Sequence, residues 1–207
     1  MFVLTADQKR STRHGDRVPE ALAALGSVLG SGDASGVALP FERTVGDEIQ
    51  GVLGSPVSAV RAVTALVRLG SWRVGLGVGP VDLPLPTSTR AASGPAFLAA
   101  REAVEAARSS PADLRVLRGD GAHHYGEAER ARQAESALWV LTVLLRRRTP
   151  EGWEIVDMAE TGLSGKDIAD RLDISPSAVS QRLGRAAYQE GRRGAELAEA
   201  LLAEADA

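Results

Sequence analysis

The sequence predicts an α+β protein in two units, and three observations predict it. Strand-patterned and helix-patterned segments alternate as far as Arg118, a long apolar-striped helix follows, and from Thr149 onward only strongly capped helices remain.

Phe2 to Ala6 is the first strand candidate, ended by the polar run Asp7 to Asp16. A helix is expected from Pro19 to about Leu29, closed by Gly30-Ser31-Gly32. Val37 to Thr44 and Glu48 to Leu53 read as two strands joined tightly through Val45-Gly46-Asp47, a composition suited to a hairpin. Ser55-Pro56 supplies an N-cap and a first helical turn, after which Val57, Val60, Val63, Ala65, Leu66 and Leu69 mark an apolar face ending near Gly70. Trp72 to Val78 reads as a buried strand studded with glycines, and Pro80 to Arg90 as an extended loop. A helix restarts near Gly94-Pro95 and runs to Ser109, and Leu114 to Leu117 is the last strand. The order β-α-β-β-α-β-α-β describes a ferredoxin-like or palm-type sandwich with helices packed on one face of the sheet.

From Glu127 to Arg148 a helix carries Ala131, Ala134, Ala137, Leu138, Leu141, Val143, Leu144 and Leu145 as a broad stripe, fit to link two domains or two subunits. The expected organisation is a sheet domain over 1–120, a linker helix over 121–148 and an all-α domain over 149–207.

Composition narrows the function. The 207 residues include no cysteine, which excludes disulfides, thiolate metal sites and zinc fingers. No segment reads as a signal peptide or a membrane span, so a soluble, cytoplasmic protein is expected. A net charge of −3 argues against a generic polyanion binder, so any nucleic-acid contact must be local. Residues 149–207 hold 6 Lys/Arg against 12 Asp/Glu, whereas 176–193 hold 4 Arg and one acid.

Three caps fall in register in that last region. Thr149-Pro150 opens a helix with Trp153, Ile155, Val156 and Ala159 on its core face, ending at Gly162. Ser164-Gly165-Lys166-Asp167 forms a capping box with Asp in place of Glu, before a helix buried through Ile168, Ala169 and Leu172. Asp173-Ile174-Ser175 makes a turn, and Ser175-Pro176 opens a third helix seated by Val179, Leu183 and Ala186. Ser177, Ser180, Gln181, Arg182 and Arg185 are then left outward, where a recognition helix meets the major groove of double-stranded DNA. Gln pairs bidentately with adenine and Arg with guanine, so Ser177, Gln181 and Arg182 are assigned to bases or nearby phosphates. Lys166, Arg185, Arg192 and Arg193 are assigned to phosphates. Arg146-Arg147-Arg148 is either a solvated helix end or a further source of phosphate contacts. The helix after Tyr188, with Leu197, Leu201 and Leu202, supplies a homodimer seam or packs back on its own domain.

The stretch GLSGKDIADRLDISPSAVSQRLGRA resembles the helix-turn-helix of sigma-factor region four and of LuxR-type regulators, which implies DNA binding and transcription regulation. In the first domain, Asp7 ends the first strand and Asp47 stands at the hairpin tip, a pairing of acids that suits magnesium carrying a nucleoside triphosphate. The alternative is that Gly46-Asp47 is a simple turn and Asp7 a strand-end cap. The hairpin Arg43-Thr44-Val45-Gly46-Asp47-Glu48-Ile49 resembles that of diguanylate cyclases and class III nucleotide cyclases, and WRVGLGVGPV with SGPAFLAAREAVEAA resembles the strand and helix that follow it. The chain further resembles the SatD family of bacterial proteins, in its acid-bearing first strand, GDE hairpin and glycine-rich strand.

Departures from the cyclase pattern bear on catalysis. Leu98 stands where those enzymes place Asn, Arg101 falls one residue short of the usual spacing, and Val45 replaces a glycine at the hairpin tip. Turnover is therefore not expected, no catalytic residue is assigned, and a nucleotide effector bound through Asp7, Asp47 and Glu48 with magnesium is the remaining role. The alternative is a palm-type nucleotide enzyme with an appended regulatory helix-turn-helix. His123-His124 reads as a polar interdomain turn rather than a metal site.

Overall fold

The computed structural model describes residues 1–30, 36–119 and 125–207; the His123-His124 pair lies outside the described residues. The chain is α+β, a five-stranded sheet covered by helices and followed by a helical region. The sheet region comprises β1 (Phe2–Gln8), α1 (Ser11–His14), α2 (Val18–Leu29), β2 (Val37–Arg43), β3 (Glu48–Leu53), α3 (Pro56–Leu69), β4 (Trp72–Val78), α4 (Pro95–Ala106) and β5 (Leu114–Arg118). After it come α5 (Tyr125–Leu145), α6 (Pro150–Glu160), α7 (Gly165–Leu172), α8 (Pro176–Arg185) and α9 (Tyr188–Asp206). Among the described residues no helix is long and apolar enough to cross a membrane.

The strands lie in the order β2-β3-β1-β4-β5. Central β1 is antiparallel to both β3 and β4, and β5 runs parallel to β4. Alternation along β1 divides its side chains between two cores. Phe2, Leu4 and Ala6 join α2, α3, α5 and α9 on one face, while Val3 joins Ala96, Phe97 and Ala100 of α4 on the other.

Helices therefore cover both faces, not one as expected from sequence. The cause lies in the glycines of β4. Trp72, Val74, Leu76 and Val78 face the first core, which leaves Gly75 and Gly77 on the opposite face with no side chain. The backbone of α4 settles directly on that bare strip: a Cβ at Gly75 would lie 2.7 Å from Val104 Cα, and one at Gly77 2.6 Å from Ala100 N. No longer side chain fits between strand and helix there.

The helix expected as a linker instead belongs to the core of the sheet region. Ala131, Ala134, Leu138, Leu141 and Leu145 of α5 recur at three- and four-residue steps and are buried with the sheet. Polar groups explain why α5 lies where it does. β5 is an edge strand, and its outward-facing Val116 N–H donates to the Glu135 carboxylate at 2.8 Å, while Trp139 Nε1 donates to the Leu114 carbonyl at 2.8 Å. Glu135 is 5% exposed and also pairs with Arg115 at 3.1 Å. An edge that would otherwise present free ladder groups is thereby covered. Glu135→Ala is expected to strand the Val116 amide and to cost about 1–3 kcal/mol, read as a lower urea midpoint with an unchanged slope.

The C-terminal helix is expected from sequence either to form a dimer seam or to pack back on its own helical domain; within this chain it packs instead on helices outside that domain. Ala198, Leu202 and Ala205 of α9 are fully buried against α5 and α3. The helical region meets α3 through a stacked joint in which Arg68 and Arg148 lie over Trp153, 4.6 and 4.8 Å from the ring centre. Arg68 also holds Asp157 in a two-pronged pair at 2.8 Å.

Candidate nucleic-acid interface

Each of α6, α7 and α8 begins as its sequence requires. Thr149 Oγ1 accepts from Gly152 N at 3.2 Å, ahead of Pro150 in the first turn. Ser164 and Asp167 close a reciprocal capping box, with the Ser164 amide donating to Asp167 Oδ2 and the Asp167 amide to Ser164 Oγ, both at 3.2 Å. Those Ser164 bonds hold the Asp167 carboxyl below its ordinary range. Ser175 Oγ accepts from Ala178 N at 3.2 Å with Pro176 next in line. The chain turns from α7 into α8 through Asp173 in the left-handed conformation, φ 52°. Ile155, Ile168, Ala169 and Val179 then form a small core with Leu163, Leu172, Ile174 and Leu183 packed against it. Since the Ser164 cap satisfies one helix-end amide, Ser164→Ala is expected to lower stability by about 1 kcal/mol, measured by thermal melting.

Burial of Val179 turns the opposite face of α8 outward. Ser175, Ser177, Ser180, Gln181 and Arg185 are exposed, Lys166 at the start of α7 is exposed, and Arg182 is half-buried. Lys166, Gln181, Arg182 and Arg185 make no side-chain hydrogen bond or ion pair among the described residues, so their donors are free. The serines are partly committed: Ser175 Oγ and Ser177 Oγ lie 2.9 Å apart, and Ser180 Oγ donates to the Pro176 carbonyl at 3.3 Å. The Thr149 hydroxyl first, and the Arg182 charge as a smaller contribution, hold Glu151 below the usual carboxylate range. Arg182 thus has an acid near it, which the sequence alone did not disclose.

The remaining basic candidates divide. Arg193 is exposed, while Arg192 pairs with Glu196 at 3.6 Å on its own helix. Within the arginine run at the end of α5 only Arg147 stays open. Arg146 is held by Asp113 at 2.8 Å, and Arg148 donates to the Ala186 carbonyl at 2.8 Å from its stacked position on Trp153.

In the sheet region, strand register decides which acids meet. Asp7 is directly opposite Glu48 across β1 and β3, so these two face the same side of the sheet. A cavity of about 250 Å³ is lined by Asp7, Glu48, Val45, Arg101, Glu105 and Arg108, and Asp47 is not part of its wall. The expected Asp7–Asp47 pairing is thus replaced by Asp7 with Glu48, because Asp47 belongs to the turn one residue out of step. Asp7 is already ion-paired with Arg73 at 3.0 Å, and the Thr44 hydroxyl donates to Glu48. With Asp7 already neutralised and Arg101 and Arg108 in the wall, these residues do not fit a bare divalent cation. Among the described residues no group of three or more His, Asp or Glu side chains is arranged to hold a metal. Leu98, at the position where cyclases carry Asn, is 74% exposed and lies outside this cavity's wall. Arg73 and Arg108 gave no motif signal; only the strand register and the seating of α4 draw attention to them.

No protein-family model, no curated protein and no solved structure matches the chain.

Proposed function

We propose that the chain is a transcriptional regulator that binds double-stranded DNA, with α7 and α8 as a helix-turn-helix and α8 as the recognition helix in the major groove. The observation that carries this reading is the outward face of α8, where Gln181, Arg182 and Arg185 hold unused donors beside an exposed helix start. Gln181 and Arg182 read base edges, Ser177 adds a hydroxyl near them, and Lys166 and Arg185 grip phosphates. Amides at the start of α8, capped by Ser175, add a partial positive charge toward the backbone.

The sheet region is a ferredoxin-like, palm-type domain with a sensory or dimerising role. Its strand order supports this, as do the resemblances to cyclases and to SatD proteins. It is not an enzyme: the ion pair that occupies Asp7 supports a palm without turnover. A palm-type nucleotide enzyme is the second reading, favoured by the arginine-bearing cavity around Asp7 and Glu48. The protein acts in the cytoplasm as a homodimer, since the few cations of one α8 face require two copies for tight binding.

With Lys166 and Arg185 of each subunit on phosphates, about four phosphates are engaged by the dimer, and affinity is expected to fall about a hundredfold between 50 and 200 mM salt. Fluorescence anisotropy with a labelled duplex at stepped salt measures it. A slope near zero contradicts phosphate-based binding. The enzyme reading is tested apart from DNA, by incubation of the chain with nucleoside triphosphates and magnesium, where no product is expected.

A further inference from the structure

A cavity opens where the sheet region meets the helical region, between α3, α5, α6 and α9. Its volume is about 440 Å³, within the range of small-molecule sites. Val60, Leu141, Leu145, Val156 and Ala195 give it an apolar wall, and charged side chains stand around that wall.

Most of those charges are already satisfied. Asp157 is taken by Arg68, Glu196 by Arg192, and Arg148 by Trp153 and the Ala186 carbonyl. Glu199 differs: it is half-buried in the wall and makes no hydrogen bond or ion pair among the described residues. Burial pushes its carboxyl above the ordinary range, against the pull of the Arg61 charge. Arg61 is exposed and solvated, so it needs no partner, whereas a partly desolvated carboxylate gains from a cation brought to it.

We propose that this cavity binds a small organic cation, an apolar body seated against Val60, Leu141 and Val156 with an ammonium group paired to Glu199. The site also reaches α8. Arg148, part of the wall, donates to the Ala186 and Ala187 carbonyls just past the end of α8, at 2.8 and 3.3 Å. A ligand that shifts Arg148 or Trp153 therefore changes how α8 is held, and this coupling to DNA rests on the regulator reading above.

Calorimetry on the full chain without DNA tests the site, with phenethylammonium as probe and phenethyl alcohol and phenylacetate as its neutral and anionic counterparts. The cation is expected to bind one site per chain about tenfold or more tightly than either counterpart. Glu199→Gln is expected to bring the cation down to the affinity of the alcohol and to leave the alcohol unchanged. Equal affinity for all three probes, no saturable binding of the cation, or full discrimination by the Glu199→Gln chain would overturn the proposal. The comparison of probes on the natural chain decides the matter even where the variant does not fold. In a second arm, saturating phenethylammonium is expected to change DNA retention at least about threefold, a coupling of about 0.6 kcal/mol or more. Unchanged retention overturns the coupling alone, and a chain that binds the cation yet never retains DNA contradicts the regulator reading while the site stands.

Discussion

Replacing Gln181 and Arg182 together by alanine is expected to abolish sequence-specific DNA retention while leaving the fold intact. Each good bidentate base contact is worth about 1–3 kcal/mol of discrimination. Two such contacts in each half-site of a dimer place the loss of specific affinity at about a thousandfold or more. The fold is expected to survive because neither side chain makes a hydrogen bond or ion pair among the described residues, and the nearby core is Val179 and Leu183. Arg182 is half-buried beside Glu151, so its loss is expected to move the melting temperature by a degree or two at most, about the scale of one weak surface contact. Gel retention and melting curves on the same preparations separate the two effects. Undiminished specific binding by the double variant would remove α8 as the reading element.

The second large effect concerns the body rather than the interface. Gly77→Ala is expected to destabilise the chain by about 3 kcal/mol or more, because the added methyl meets the backbone of α4 at Ala96 and Ala100, which cannot yield as a flexible side chain does. For a chain of this size that is a fall of about 10 °C in melting temperature. Gly26→Ala serves as the opposite control. Gly26 lies inside α2 with open space where its Cβ would stand, and the substitution is expected to raise stability by about 0.5–1 kcal/mol. A Gly77→Ala chain as stable as the parent would mean that α4 does not sit on the bare strip of β4.

Local rules carried most of what was legible in the sequence. The caps at Ser55, Thr149, Ser164 and Ser175 depend on chemistry within three or four residues, and each forms as read. Trp72 to Val78 also reads correctly as a strand, but the meaning of its glycines does not follow from their spacing alone. Alternation shows that they share a face; only the position of α4 shows that a helix occupies it. The same limit applies to α5. Its stripe announces a partner without naming it, and the polar pair Glu135 and Trp139 that docks it on the β5 edge carries no local signature. At the hairpin, Asp47 catches the eye beside a turn glycine, whereas pairing register brings Glu48 to Asp7. A one-residue difference is invisible without the partner strand. The free donors of α8 were legible as types, and the acid beside Arg182 was not.

Selection of bound duplexes from a random library by the full chain bears most directly on the central claim. Enrichment of two like half-sites about ten base pairs apart, lost on replacing Gln181 and Arg182, is the expected result. Retention without any enriched sequence, or enrichment that persists in the double variant, would contradict it.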